Sequence, residues 1–146
     1  MSVNEKQLYK SIAVGSSSNE SPVQSKKYRG ISTVDKNTRN FVKYDLQLIK
    51  QDIVNHFHIR QGEKLENPEF GTIIWDVLFE PLTDSLKEAI IKNVTDIINY
   101  DPRVSVNNVT IDSFESGIQI ECNLTYLPYN ISESVRLTFD ESAGLI

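Results

Sequence analysis

The hydrophobic period of this 146-residue chain changes at Asp101-Pro102-Arg103. Upstream, Leu86, Ile90, Val94, Ile97 and Ile98 recur at three- and four-residue steps, the spacing that lines one face of a helix. Downstream, three sets of apolar residues recur at steps of two, the spacing of half-buried strands. They are Val104, Val106, Val109 and Ile111; then Ile118, Ile120, Cys122, Leu124 and Tyr126; then Val135, Leu137 and Phe139. Asn107-Asn108 reads as a bulge that absorbs the one three-residue step. Pro102 steers the residue before it out of the helical region and so enforces the stop. A chain patterned this way needs helices on one side of its core and a sheet on the other, which is the α+β class.

A second helix is predicted from Tyr44, where Leu46, Ile49, Ile53 and Phe57 share a face opposite Lys50, Gln51 and Asn55. Asp45 sits where a first-turn acid or cap belongs. Polar turn segments follow at Arg60–Lys64 and at Asn67-Pro68-Glu69-Phe70-Gly71. The dense apolar run Ile73–Phe79 predicts one or two buried helical turns ended by Pro81, with Trp75 and Phe79 four apart on one core-facing side. The long helix starts either at a Ser85-x-x-Glu88 capping box or at Thr83. Turns at Phe114–Gly117 and Leu127–Asn130 separate the strands. The predicted architecture is two main helices plus a short buried helix, packed on a three-stranded antiparallel meander.

Residues 1–43 read as a basic, polar N-terminal arm, extended or ordered only in an assembly, and residues 44–146 as the folded domain. The run Ser16–Pro22 cannot bury enough apolar surface to offset its ordering entropy. Residues 1–44 hold eight basic against three acidic residues, a net of +5; the remaining seven basic and seventeen acidic residues give −10. An acidic body repels phosphates, so a protein neighbour suits this arm better than nucleic acid. No apolar run approaches the roughly 20 residues of a membrane helix. The first ten residues lack the apolar stretch of a secretory signal, so the chain reads as a soluble protein made inside the cell. The lone Cys122 excludes an internal disulfide and a multi-cysteine zinc site.

Candidate chemistry is sparse. His56 and His58, two apart, do not share a helical face, and no third metal ligand stands near them in sequence. Glu63, Glu66, Glu69, Asp76 and Glu80 supply carboxylates, but their spacing singles out no acid and nucleophile of a glycosidase. Gly62, Gly71 and Gly117 are isolated and form no phosphate-cradling loop. Cys122 alternates inward with its neighbours and reads as core. Arg103 has two readings. It satisfies carbonyls at the end of the helix, or its planar fork, aimed by Pro102, meets a partner carboxylate. The residues do not choose between them.

Four ordered segments carry a resemblance: Arg60-Gln61-Gly62-Glu63, Asn67-Pro68-Glu69-Phe70-Gly71, Leu78-Phe79-Glu80-Pro81 and Tyr100-Asp101-Pro102-Arg103. Over roughly residues 44–140 the chain resembles the baseplate wedge and sheath-initiator family of contractile phage tails, related to a type VI secretion baseplate component. Some of its members once carried a lysozyme-like label. The family hallmark Glu-Pro-Arg reads Asp101-Pro102-Arg103 here, an acid one methylene shorter.

The resemblance implies a structural role in the virion tail baseplate after synthesis in the host cytoplasm, with no catalytic residues, metal or cofactor. Implied partners are other wedge proteins, the tail sheath protein and tube or tube-initiator proteins, in about six copies per baseplate by family symmetry. Asp101, Pro102 and Arg103 would contact the helical bundle of neighbouring wedge subunits, and Gly62, Glu63, Pro68 and Gly71 join them as expected interface residues. Sheet edges carry unpaired backbone groups, so a sheath arm could add as a strand along Val135, Leu137 and Phe139 and so template the first sheath ring. The competing readings are a peptidoglycan-cleaving enzyme and an adaptor whose arm folds on binding.

Overall fold

The computed structural model describes residues 26–33 and 42–146. Its elements are β1 (Arg29–Ile31), β2 (Val42–Tyr44), α1 (Asp45–Phe57), α2 (Ile74–Val77), α3 (Asp84–Asn99), β3 (Val104–Phe114), β4 (Gly117–Tyr126), β5 (Ile131–Asp140) and β6 (Gly144–Leu145). Thr83, not Ser85, caps α3: its Oγ1 accepts from the Leu86 N–H at 3.3 Å. The apolar faces of α1 and α3 then meet the inward face of the sheet. Ile49, Ile53 and Phe57 pack with Ile90, Val94 and Ile98 over the strictly alternating Ile120, Cys122, Leu124 and Tyr126 of β4. Burial pushes the Cys122 thiol up to about 12, in keeping with its core position.

Strands β3, β4 and β5 are antiparallel neighbours in that order, as the alternation predicts. Val106 faces Leu124 while Asn108 faces Asn123, so Asn107 is the extra residue of a bulge. That single insertion returns Val109 and Ile111 to the inward face.

The three-stranded meander is corrected in two places. After β5 the chain turns back, and Gly144–Leu145 pairs with Asp140 and Phe139 as a fourth strand. One carboxylate oxygen of Asp140 closes the turn by accepting from the N–H groups of Ser142 (2.8 Å) and Ala143 (2.9 Å) and the Ser142 hydroxyl (2.8 Å). Its other oxygen accepts from the Ser116 hydroxyl at 2.7 Å. The Ser116 bond, with those to the turn, holds the Asp140 carboxyl well below the usual carboxylate range. A strand of two residues has no period, and so the sequence pattern gives no sign of it. The second correction is a separate two-stranded sheet, in which β1 pairs antiparallel with β2 inside the segment expected as an arm. Residues 1–25 and 34–41 of that arm lie outside the described residues.

The polar side of α1 holds this small sheet. Gln51, buried in mid-helix, accepts from the Thr33 N–H and donates to the Ile31 carbonyl, both at 2.9 Å. Asp45 has a left-handed φ of 44°. Its Oδ1 accepts from the N–H groups of Lys27 and Tyr28, each at 2.9 Å, and from the Tyr126 hydroxyl at 3.2 Å. A non-glycine residue in that region persists only when its surroundings over-determine it, and these three donors do so. Burial and the Asp45 charge push the Tyr126 hydroxyl up to about 12.

Asp45→Ala removes all three acceptor contacts while leaving a Cβ in the left-handed region. It is expected to cost about 2 kcal/mol and to raise amide exchange at Lys27 and Tyr28 far more than within β4. Asp45→Asn, which keeps an acceptor and tolerates positive φ, should retain most of the protection. Exchange at Lys27 and Tyr28 unchanged in the alanine variant would refute the anchoring role.

Candidate functional site

At the corner between α3 and β3, Asp101 is only 6% exposed although it is charged. Arg103 supplies its counter-charge. The Arg103 backbone N–H donates to Asp101 Oδ1 at 3.0 Å, and Nε donates to both carboxylate oxygens at 2.8 and 3.1 Å. A terminal nitrogen also bonds Asp101 and reaches Asp52 Oδ2, on α1, at 2.7 Å. The fixed φ of Pro102 turns Arg103 back over the residue two before it. Burial pushes the Asp101 carboxyl up, but the hydrogen bonds and charge of Arg103 outweigh it and hold the group below its ordinary value. The same bond to Asp101 raises the Arg103 guanidinium. The Tyr28 ring lies 5.4 Å from the guanidinium carbon. Nε and one terminal nitrogen of the fork thus serve carboxylates within the chain, in place of the helix-end carbonyls.

Gly62, Glu63, Pro68 and Gly71 fall together in the loop between α1 and α2. The Gly62 N–H donates to the Pro68 carbonyl (2.9 Å), and Glu63 Oε2 accepts from the Arg60 N–H (2.9 Å). Gly71 has φ 137°, and a Cβ there would lie 2.6 Å from the Arg60 carbonyl, so only glycine fits where the two ends of the loop pass each other. Asn93 of α3 pins the same point by donating to the Gly71 carbonyl (3.0 Å) and accepting from the Ile73 N–H (3.1 Å).

This loop abuts the corner through aromatic rings. Phe70 and Tyr100 stand 4.6 Å apart, and His56 meets them edge-on at 5.3 and 6.0 Å. Lys64 Nζ lies 4.8 and 4.9 Å above the rings of Phe70 and Tyr100 and donates to the Tyr100 hydroxyl at 3.3 Å. His56 Nδ1 is buried without a hydrogen-bond partner. Burial lowers the His56 pKa; Asp52 and Asp101 oppose the shift, and Lys64 and Arg103 reinforce it.

The structure therefore brings Asp101, Pro102 and Arg103 beside the glycine-bearing loop. Val135, Leu137 and Phe139 lie elsewhere, on β5, with Leu137 and Phe139 in the core and Val135 packed against it. A groove of about 940 Å³ opens there between Val54 of α1 and Val135, with Ile146 at one end. Asp52, Asp45, Gln51 and His56 carry as much of the site as the expected residues do. Of these, Asp52 and His56 stand one helical turn apart on α1, and Gln51 lies on another side of it. Chemically, the Asp101 and Asp140 carboxyls both shift down, opposite to a proton-donating acid. Among the described residues no cluster of three or more His, Cys, Asp or Glu side chains could hold a metal ion.

A family model described as baseplate wedge protein gp25 matches residues 44–129. The chain belongs to that family. As a member it is a baseplate component of a phage tail or tail-like particle. The matched span holds α1, the loop and the corner; β5 and β6 lie beyond it. Two solved structures share the fold. One is a Geobacter sulfurreducens protein described as a candidate tail lysozyme, 23% identical over 66% of this chain and 93% of that one, with a TM-score of 0.56. The other belongs to the baseplate of the anti-feeding prophage, solved by cryo-EM with 6-fold symmetry: 18% identity, 68% of this chain, 85% of that chain, TM-score 0.56. No curated protein matches the chain.

Arg103→Ala leaves the buried Asp101 uncompensated and should cost about 3 kcal/mol in urea unfolding. Asp52→Asn, altering the more exposed end of the network, should cost less than about 1 kcal/mol. Equal losses from both would contradict a corner centred on Asp101.

His56 gives a pH dependence of defined sign. Its pKa is lower folded than unfolded, so stability is complete above about 6.5 and declines as pH falls below that value toward the folded pKa. Denaturation midpoints at pH 7.5 and 5.5 should differ in the parent and differ less in His56→Phe. An identical difference in both proteins would exclude His56 as the source.

Proposed function

We propose that the chain is a structural subunit of the inner baseplate wedge of a contractile tail, without enzymatic activity, bridging wedge proteins and the tail tube and templating the first sheath ring. Its domain is residues 44–146, and residues 1–43 are an arm that orders further on the assembly. The Asp101-Pro102-Arg103 corner and the loop carrying Gly62, Glu63, Pro68 and Gly71 form one rigid face for neighbouring wedge helices. The sheath protein takes the edge of β5.

The observation that carries the templating step is the backbone parity of β5. Thr138 exchanges both hydrogen bonds with Ile146, at 3.2 and 2.8 Å, on the side away from β4. In an antiparallel ladder residues alternate sides, so Ser132, Ser134 and Arg136 point their N–H and C=O groups the same way, beyond the end of β6. An added strand would run along them over the groove floored by Val54 and Val135.

The enzyme reading draws on the name of one structural neighbour. A glycosidase acid needs a carboxyl raised by an apolar site. The carboxyl nearest that description, the buried Asp101, is instead held ionised by Arg103, which supports a structural role.

Ser134→Pro tests the templating step. It removes an outward donor while sparing the ladder to β4, and proline is tolerated at a sheet edge. Sheath capture from the same virus should fall by about tenfold or more, the scale of losing a central interface contact, with wedge-protein capture and Tm retained. Undiminished sheath capture by a folded Ser134→Pro protein would overturn strand addition here. Clearing of purified peptidoglycan by the parent protein would revive the enzyme reading.

A further inference from the structure

The helical turn α2 ends at Val77, two residues before Phe79, so Phe79 does not continue the face that carries Trp75 into the core. Trp75 packs 5.2 Å from Phe139, whereas Phe79 is 74% exposed. Phe114, at the tip of the β3–β4 hairpin, is 41% exposed. Both rings line the same hollow of about 340 Å³, with Leu82 contributing apolar surface and Glu80, Glu115 and Glu141 its charge. Among the described residues no lysine or arginine lines it. Two large aromatic side chains left in water beside one hollow are a surface built to be covered.

Gly117 fixes the shape of this place. A Cβ there would meet the Phe139 carbonyl oxygen at 1.9 Å and the Phe114 ring at 2.9 Å, so the hairpin tip and β5 are pressed together without a side chain between them. The backbone beside it is fastened as well, with the Glu141 N–H donating to the Ser116 carbonyl at 3.0 Å. The Phe114 ring thus stands on a fastened hairpin tip, an arrangement that loses little entropy on binding. Ten residue steps along β3, one of them through the bulge, carry the chain from Val104 at the corner to Phe114, roughly 30 Å. The hollow is therefore remote from the Asp101–Arg103 face.

We infer that this hollow is a second docking surface, and that its occupant is a segment of a neighbouring baseplate protein in which a lysine or arginine flanks a large apolar side chain. The apolar residue enters between Phe79 and Phe114, and the cation meets the three glutamates at the rim. Opposite charge at a rim chiefly sets specificity and encounter rate, while the aromatic contact supplies affinity. The described cations nearest the start of the arm suit the role poorly. Lys26 stands 4.0 Å over the Tyr44 ring and Lys27 stands 5.9 Å over that of Tyr28. With an acidic rim on a chain of net charge −5, a basic segment of a partner protein is favoured over a second copy of this chain.

The inference rests on the baseplate reading, and a photo-crosslinking amino acid placed at Phe114 tests the two separately. The full chain carrying it is expressed during production of the particle that encodes it, with a second version labelled at the exposed Tyr100 beside the corner. The expected result is a Phe114 crosslink to another baseplate protein, at a segment with Lys or Arg within two positions of the attached residue. Glu80→Gln/Glu115→Gln/Glu141→Gln should lower that yield roughly tenfold, with Tm and the Tyr100 crosslink unchanged. A Tyr100 crosslink without one at Phe114 overturns the second surface alone. So does attachment to a segment without cations, to residues 1–25 of this chain, or to a second copy. A protein absent from particles and uncrosslinked at both positions removes the baseplate reading and this inference together.

Discussion

The ion pair of Asp101 with Arg103 is the contact on which the rest of the structure turns. A carboxylate at the end of α3 and 6% exposed would be expensive to keep ionised without a partner, and the partner sits two residues away across a proline. Because both charges belong to the corner, the pair fixes the exit angle from helix to sheet. Asp52 extends the same guanidinium to α1, so α1 and the corner between α3 and β3 share one charged node. The acid here is Asp, and its short arm lets one carboxylate reach both the backbone and the side chain of Arg103.

Beside the node, Phe70 closes the loop between α1 and α2 against Tyr100, and His56 fills the angle between them. The buried, unpaired Nδ1 of His56 suits a neutral ring, and the aromatic cluster stands beside the buried Asp101 end of the node. Low local polarity strengthens the ion pair as it penalises any change in its protonation. The loop glycines follow from the same packing: Gly71 allows two backbone segments to cross where a side chain would collide. A face preassembled in this way pays little ordering entropy when a partner arrives.

Much of this was legible in the sequence. The change of period at Asp101-Pro102-Arg103 located the corner, and the three-residue step from Val106 to Val109 located the bulge at Asn107. The capping residue lay among the two candidates. What escaped has physical reasons. Gly144–Leu145 is too short to carry a period and is held by an aspartate turn whose spacing is unremarkable in a polar tail. Gln51 looked like solvent-facing polarity because periodicity cannot tell a polar face that meets water from one that meets a neighbouring backbone. The link from Asp52 to Arg103 spans 51 positions, and nothing local to either residue signals it. Phe79 was misread because a four-residue spacing implies a shared face only if the helix lasts that long, and α2 ends after a single turn.

Strand addition at an open edge is permissive by nature, since any extended segment offers matching backbone groups. A template must also set register, because a slip of one residue turns every inward side chain outward. The pairing already present on that edge marks one limit. Ile146 occupies the outward groups of Thr138, so a strand laid along Ser132, Ser134 and Arg136 has one end defined before it binds. The groove beneath that edge, lined in part by Val54 and Val135, supplies the other constraint, because only alternate side chains of an added strand face it. An edge with a fixed end and a one-sided floor admits far fewer registers than a bare strand. Under the proposed templating role, that restriction is what would start an ordered ring and disfavour the open-ended pairing to which unprotected edges are prone.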